Sequence, residues 1–248
     1  MPFGLKNARA TYQRMMTGMF REKISHTVEM YIVDMVVKSK EDYGHVSDLA
    51  DIFEVLRWHK LHLKSNKCVF SVGAGKFLGY MITHRGIEVN PDQISVIKWL
   101  KPPSNPKEVQ VLIGMLAALN RFASKSIDRC HPFHPLLKKW RGFQWTEECE
   151  KAFQDLKNYL VSAPILFASE VGEDFFIYLS VFEHAMGAVL LRDQRVQKPI
   201  YFISKTLVDV ETRYLPLKKL ALELVHATGK LPHYFQAHTM YVLTKYPL

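Results

Sequence analysis

The stretch that decides the fold class lies in the last third of the chain and reads Phe175-Phe176-Ile177-Tyr178-Leu179-Ser180-Val181-Phe182. Its density of aromatic and β-branched residues over so short a length predicts a strand. Similar segments follow at residues 185–191 and 199–204, then a helical pattern at 217–230 and a last strand at 240–244. A β-β-β-α-β order of this kind predicts a mixed sheet covered by helices.

The middle of the chain, upstream of this sheet, is predicted to be helical. Asn90 and Asn105 each stand directly before a proline, which places an N-cap residue and proline at the first helical position. A third helix is expected after Thr146, because apolar residues recur on one helical face, at Cys149, Phe153, Leu156 and Leu160.

The first third mixes both kinds of element. We expect a helix over residues 8–20 and a hairpin over 28–37 that turns near Val33-Asp34, where valine is a poor turn residue and aspartate a good one. Residues 41–60 predict an amphipathic helix with Val46, Leu49, Ile52, Phe53 and Leu56 on its apolar face. Short strands are expected at 67–70 and 76–82. The whole chain is therefore predicted to be α+β.

Charge and composition limit the classes of binding partner. The 248 residues are 48% hydrophobic and 23% charged, which is a globular composition, and the net charge is +9. Such an excess favours polyanions, nucleic acid first and an anionic membrane second.

The sequence also indicates the cellular compartment of the protein. No apolar run reaches the roughly 18 residues of a membrane helix, and the N-terminus lacks the plan of a signal peptide. Three widely spaced cysteines suit a reducing compartment. We expect an intracellular product with no membrane partner, in the cytoplasm or the nucleus.

Several motifs in order resemble one family. Motif B of gypsy-type LTR retrotransposon reverse transcriptases resembles Met1-Pro2-Phe3-Gly4-Leu5-Lys6-Asn7-Ala8 with Ala10-Thr11-Tyr12-Gln13-Arg14. The Tyr-x-Asp-Asp box of that family falls at Tyr31-Ile32-Val33-Asp34, and its primer-gripping loop at Lys76-Phe77-Leu78-Gly79-Tyr80. Its thumb and connection resemble residues 107–122 and 143–153, and the rest resembles the ribonuclease-H-like domain of plant elements.

The resemblance implies a division into three parts. Residues 1–87 would be a partial reverse transcriptase palm, residues 88–165 the helical thumb and connection, and residues 166–248 a truncated ribonuclease-H-like mixed sheet. It also assigns residues to binding. Nucleotide or template would contact Phe3, Gly4, Gln13, Arg14 and Tyr31, and the primer grip would be Phe77, Leu78, Gly79 and Tyr80.

The resemblance implies Mg²⁺-dependent nucleotidyl transfer, which two divalent ions support through clustered carboxylates. The family uses three aspartates, of which one lies in a motif upstream of the first residue here. The second position holds Val33, so only Asp34 remains as a metal or catalytic carboxylate. We expect Asp34 to be vestigial, a turn aspartate without a catalytic load.

The ribonuclease H site shows the same loss. Matching the family's Gly-Ala-Val-Leu to residues 187–190 puts Ser180 at the first aspartate position and Lys245 at a later one. The family's helix glutamate falls near Lys218, Lys219 and Leu220, with Glu223 about one turn away. We expect this domain to be structural.

Other candidate sites carry two interpretations each. Cys130, His131 and His134 invite a zinc site, but a fourth ligand is missing and the segment also resembles the family's connection. Aromatic and apolar residues could stack on bases, although core packing is the more usual role; they are Phe77, Leu78, Tyr80 and Trp145. The segment Lys138-Lys139-Trp140-Arg141 is either a nucleic-acid patch or a solvated loop.

We therefore expect a fragment of a retrotransposon RNA-directed DNA polymerase, truncated and degenerate, that is catalytically inactive and binds at most RNA–DNA hybrid or other nucleic acid. One alternative is a functional segment of a longer active polyprotein, whose upstream part supplies the missing aspartate. Another is a relic without function.

Overall fold

The structure is a computed structural model, and it describes residues 4–39, 41–138, 142–170, 172–193 and 196–244. The chain forms two compact units, Met1–Ile82 and Thr83–Leu248. Each unit has a hydrophobic core of its own. The three-part division into residues 1–87, 88–165 and 166–248 remains a prediction.

The first unit packs two helices against a hairpin. Its elements are α1 (Ala8–Met19), β1 (Val28–Tyr31), β2 (Asp34–Val37), α2 (His45–Trp58), β3 (Ala74–Phe77) and β4 (Tyr80–Thr83), whose last residue begins the second unit. β1 and β2 pair antiparallel. The buried core consists of Met16, Phe20, Val28, Ile52 and Leu56. The predicted helix–hairpin–helix order is confirmed.

Three local predictions in this unit are wrong. Residues 68–70 form no strand, because Val69 and Phe70 are exposed and find no strand to pair with. The expected strand over 76–82 is two strands, β3 and β4, separated at Leu78-Gly79, which both have positive φ angles. Val46 is exposed on α2, so the apolar face begins further along that helix.

β3 pairs with β4, and the first strand that lies wholly in the second unit is β5 (Gly86–Val89). Its helices are α3 (Pro91–Trp99), α4 (Pro106–Ala118), α5 (Ser126–Cys130), α6 (His134–Lys138) and α7 (Glu147–Val161). The side chains of Asn90, Asn105 and Thr146 accept hydrogen bonds from the first turns of α3, α4 and α7. These caps satisfy backbone N–H groups that a helix cannot pair internally, so the predicted helix starts are confirmed.

The four-stranded sheet follows, with β6 (Phe175–Val181), β7 (Ala185–Asp193), β8 (Gln197–Thr206) and β9 (Met240–Leu243) in the order β8-β7-β6-β9. β6 is antiparallel to β7 and parallel to β9. α8 (Pro216–Lys230) lies between β8 and β9 in the chain, and a short α9 (Pro232–Ala237) follows it. The predicted β-β-β-α-β order and the α+β class are confirmed.

α8 covers one face of this sheet. Its residues Leu220, Ala227 and the following Leu231 share a buried cluster with alternate residues of three strands, Phe175, Ile177, Leu179, Ala188, Leu190, Ile200 and Ile203. Each such side chain contributes about 1.5–3 kcal/mol when fully buried. Ser180, which alternates with Leu179, points to the opposite face.

No helix among the described residues has the length and apolar character needed to cross a bilayer. The three cysteines have free thiols, and Cys130 and Cys149 are buried.

Candidate functional site

The hairpin of the first unit carries the residues expected at the polymerase site. Tyr31 at the end of β1 pairs with Asp34 at the start of β2, so the loop between the strands consists of Ile32 and Val33 alone. Asp34 is therefore a strand residue and not a turn residue, which corrects the expected position of the turn. The Val33 side chain is 77% exposed at the tip of the loop, and Asp34 is exposed beside it.

The loop is strained and is held by α1. Ile32 has φ 53°, a conformation that a β-branched residue rarely adopts. Its backbone N–H donates to the side-chain oxygen of Gln13, whose amide nitrogen lies 3.5 Å from the carbonyl oxygen of Met30. Gln13, predicted to contact a template, thus fixes the hairpin tip to the helix. The sequence alone gave no signal of this contact.

The remaining residues predicted for this unit are dispersed around the hairpin. Arg14 is exposed on α1, next to Gln13, and Gly4 is exposed with φ 93°. β3 contacts β2, so the predicted primer-grip segment starts beside the strand of Asp34. Leu78 is 41% exposed, which contradicts the expected core role, while Phe77 and Tyr80 are half-buried. Phe3 lies outside the described residues.

A two-metal site would need several carboxylates around Asp34. Within the described ranges, no group of three or more His, Cys, Asp or Glu side chains is arranged to hold a metal ion. Hard divalent cations take oxygen ligands, chiefly carboxylates, so a single exposed aspartate beside valine supplies too few. The residues present do not fit the metal pair, and we assign no step to it.

The predicted ribonuclease H position is occupied by a satisfied serine. The Ser180 hydroxyl donates to the carbonyl oxygen of Gly187 on β7, at 2.9 Å. Ser180 pairs with Gly187, which in turn pairs with Ser204 on β8, so two small hydroxyl residues flank a glycine across the three strands. The hydroxyl hydrogen of Ser180 is therefore bonded within the sheet.

Among the residues that the structure describes, no cluster of carboxylates surrounds Ser180. Glu183 is exposed and lies 3.7 Å from the His184 ring, and Lys218 is exposed with its ammonium group over the Tyr214 ring. Lys245 lies outside the described residues. The described positions that the resemblance assigns to this site therefore form no acidic cluster.

The zinc alternative at Cys130, His131 and His134 gains no support from the local chemistry. Burial raises the pKa of the Cys130 thiol to about 11, whereas zinc binds the thiolate. Burial, and then the neighbouring His131, lower the pKa of His134. The His131 ring stacks on His184, with ring centroids 4.6 Å apart.

Two further candidates were the base-stacking role of Trp145 and the basic patch at residues 138–141. Trp145 packs between Phe133 and Phe153 and donates to Glu150 at 2.7 Å, which is a core arrangement. The predicted basic patch at residues 138–141 lies outside the described side chains.

One group that the sequence interpretation did not use is buried in the second unit. Glu223 on α8 has no exposed surface and lies 3.6 Å from the His226 ring. The Lys205 ammonium group on β8 forms a salt bridge with Glu211 at 3.0 Å. Its positive charge also lowers the pKa of Glu223 and so partly opposes the effect of burial. The sequence signal for this buried group is its position: Glu223 falls at the helical spacing of the apolar residues Leu220 and Ala227.

Comparisons with known proteins define the class. Residues 1–82 match the model of the reverse transcriptase (RNA-dependent DNA polymerase) family, and residues 145–242 match the ribonuclease-H-like domain found in reverse transcriptase. The chain thus combines part of a reverse transcriptase with a ribonuclease-H-like domain.

The relatives specify this class further. The chain is 32% identical to the retrovirus-related Pol polyprotein from transposon 297 of Drosophila melanogaster over 94% of its own length, and 27% identical to the Tf2-3 transposon polyprotein of Schizosaccharomyces pombe over 96%. It spans about a fifth of these curated relatives, 22% and 18%. The chain is similar to a segment of these retrotransposon polyproteins.

Solved structures support the fold. A foamy viral protease-reverse transcriptase in complex with double-stranded DNA is similar over 97% of this chain and 42% of its own, at a TM-score of 0.85 and 19% identity. The same viral protein in complex with RNA/DNA hybrid is similar at a TM-score of 0.84 and 19% identity, over 98% of this chain and 33% of its own.

Proposed function

We propose that this chain binds nucleic acid, RNA–DNA hybrid in particular, without catalysing nucleotide addition or RNA cleavage. The observation that carries the proposal is the hairpin of the first unit. Its paired strands and its attachment to Gln13 are intact, while Val33 stands at the loop tip where the family has a carboxylate. A site that keeps its scaffold and loses its metal ligands can still position a duplex.

Charge supports the same function. The net charge of +9 attracts a phosphate backbone, and Arg14 is exposed beside the hairpin. The solved structures to which the fold is similar hold double-stranded DNA or RNA/DNA hybrid. We infer that Arg14, Tyr31 and the loop at Leu78-Gly79 contact the duplex.

The finer lineage is also our proposal. The motif residues in 1–14 and 76–80 favour a gypsy-type element, and the sheet segment favours a plant element, although the two relatives above come from a fly and a fission yeast. Mg²⁺ is the ion that we infer for the intact relatives.

Binding is tested by fluorescence anisotropy of a labelled RNA–DNA hybrid at two salt concentrations. We expect saturable binding that weakens steeply with salt, and we expect Arg14→Ala to lower the affinity and reduce the salt slope by about one charge. Arg57→Ala is the matched control, because Arg57 is exposed on α2 and carries the same charge. Equal losses in both variants, or no saturable binding at low salt, would overturn the proposal.

The absence of catalysis has its own test. The purified chain is incubated with a primed template, deoxynucleotides and Mg²⁺, and we expect no extension. Extension that Asp34→Asn abolishes would show that the single carboxylate is sufficient, and the inactive assignment would then be wrong.

A further inference from the structure

Glu223 occupies a position that normally holds an apolar residue. It lies on the face of α8 that packs on the four-stranded sheet, between the buried residues Leu220 and Ala227. Neither of its carboxyl oxygens has a hydrogen-bond partner. An ionised carboxylate without partners is strongly unfavourable in such surroundings, so the neutral acid is the favoured form.

His226 supplies the missing acceptor. Its Nδ1 atom lies one helical turn along, 3.6 Å from a Glu223 oxygen, and is itself buried without a hydrogen-bond partner. The separation is slightly longer than a hydrogen bond, so a small side-chain rotation would close it. A carboxyl proton donated to Nδ1 would satisfy both groups at once.

Burial favours the neutral form of both groups, and the nearby lysines favour it at His226 but oppose it at Glu223. Burial raises the pKa of Glu223 to about 7, partly opposed by Lys205. Burial, Lys205 and Lys230 lower the pKa of His226, partly opposed by Glu211. On α8 itself, Lys219 is buried one turn before Glu223. The residues that β6 and β7 direct toward α8 are apolar, among them Ile177, Leu179, Ala188 and Leu190.

We propose that Glu223 and His226 form a buried proton-binding pair, in which the carboxyl group donates to the imidazole, and that loss of this proton loosens α8 from the sheet. The proton leaves to solvent and a carboxylate remains in the apolar interface. Lys205 is then the cation available to it, although Lys205 already bonds Glu211.

The direction of the pH effect follows from both pKa values. The raised pKa of Glu223 adds stability that is full below 4.5 and is lost as the pH rises through about 7. The lowered pKa of His226 acts in the opposite sense, since its contribution is full above 6.5 and is lost as the pH falls. The shift of Glu223 is the larger, so docking of α8 weakens from acid toward neutral pH.

Hydrogen exchange of the full chain tests the pair. Opening of the α8 peptides, corrected for intrinsic exchange, should rise roughly tenfold or more between pH 5 and pH 8. In Glu223→Gln, whose amide imitates the protonated acid and still donates to His226, the rise should vanish or reverse. Glu183→Gln, which removes an exposed carboxylate of the same unit, should keep the wild-type rise.

An unchanged rise in Glu223→Gln would overturn the proposal. Carbon-13 titration of glutamate carboxyls in the wild-type chain gives a second measurement that needs no variant. One carboxyl titrating near pH 7, together with a response of the His226 ring, supports the pair. If no glutamate carboxyl titrates near pH 7, the pair does not bind a shared proton.

Discussion

Gly86 lies where two backbone segments of the second unit come closest. It starts β5 with φ 140°, and a Cβ atom added there would lie 2.2 Å from the carbonyl oxygen of Leu166. The neighbouring Ile87 exchanges two backbone hydrogen bonds with Leu166, so the segments cannot separate without breaking them. We predict that Gly86→Ala lowers the free energy of unfolding of this unit by about 3 kcal/mol, measured by urea denaturation.

Gly114 offers the opposite case for the same change of residue. It lies inside α4, where an added Cβ atom would contact nothing within 4 Å. Gly114→Ala should therefore raise stability by about 0.5–1 kcal/mol, because alanine restricts the unfolded chain. If both variants shifted the urea midpoint in the same direction, the close approach at Gly86 would not be the cause.

Motif order assigns some residues of the candidate site, whereas other contacts at the site have no signal in the sequence. The roles of Val33 and Ser180 stay predictions from the order of the motifs; the structure places Val33 at the hairpin tip and Ser180 on β6. The contact of Gln13 with Ile32 depends on how α1 packs against the hairpin, which no local pattern encodes. The Glu223–His226 pair was missed because a glutamate on an amphipathic helix usually faces solvent.

At the scale of elements, the start of α4 shows how a short motif fixes a helix. Asn105 accepts a hydrogen bond from the backbone N–H of Glu108 at 3.0 Å, and the Glu108 carboxylate accepts from Ser104 and from the Asn105 amide. This reciprocal arrangement is a variant of the capping box, in which the Glu108 carboxylate accepts from the Ser104 backbone and the Asn105 side chain. We predict that Asn105→Ala costs about 1 kcal/mol of stability, measured by thermal unfolding, and that Lys107→Ala changes stability by less than about 0.5 kcal/mol.

The same cap predicts an acid response. Hydrogen bonds from Ser104, backbone first and side chain second, lower the pKa of Glu108 below 4.5. The contribution of Glu108 is therefore full above pH 4.5 and is lost as the pH falls through its folded value. Asn105→Ala should reduce this acid sensitivity of α4 in hydrogen exchange; an unchanged acid response would show that the box does not act as a unit.

Elements with strong end signals were predicted well, and those that depend on a partner were not. Capped helices and the long strands β6, β7 and β8 were found because their signals are local. Residues 68–70 have strand-forming side chains but no strand beside them, so they stay irregular. The turn was expected at Val33-Asp34 and lies one residue earlier, at Ile32-Val33. The pairing of Tyr31 with Asp34 across the hairpin sets this position.

At the scale of the molecule, the sheet of residues 166–248 contacts the helical segment that precedes it. Residues 120–122 contact β8, and the Arg121 guanidinium lies 5.0 Å from the Tyr201 ring. The Lys125 ammonium group lies 4.6 Å from the Phe182 ring. These contacts join the preceding helical segment to the sheet, so a cut at residue 165 would expose the part of β8 that this segment contacts.

We therefore predict that a fragment of residues 83–248 unfolds cooperatively, and that residues 166–248 alone melt at least about 8 °C lower. Loss of two cation–aromatic contacts and of the cover on β8 removes roughly 2 kcal/mol, which is worth about that shift for a domain of this size. Circular dichroism melts of the two fragments make the comparison. A fragment of residues 145–248 distinguishes loss of α7 from loss of Arg121 and Lys125, because it contains α7 but lacks both cations. It should melt at the same temperature as residues 166–248. Equal melting of 166–248 and 83–248 would instead support three separate parts, since the sheet would then need nothing from the helices that precede it.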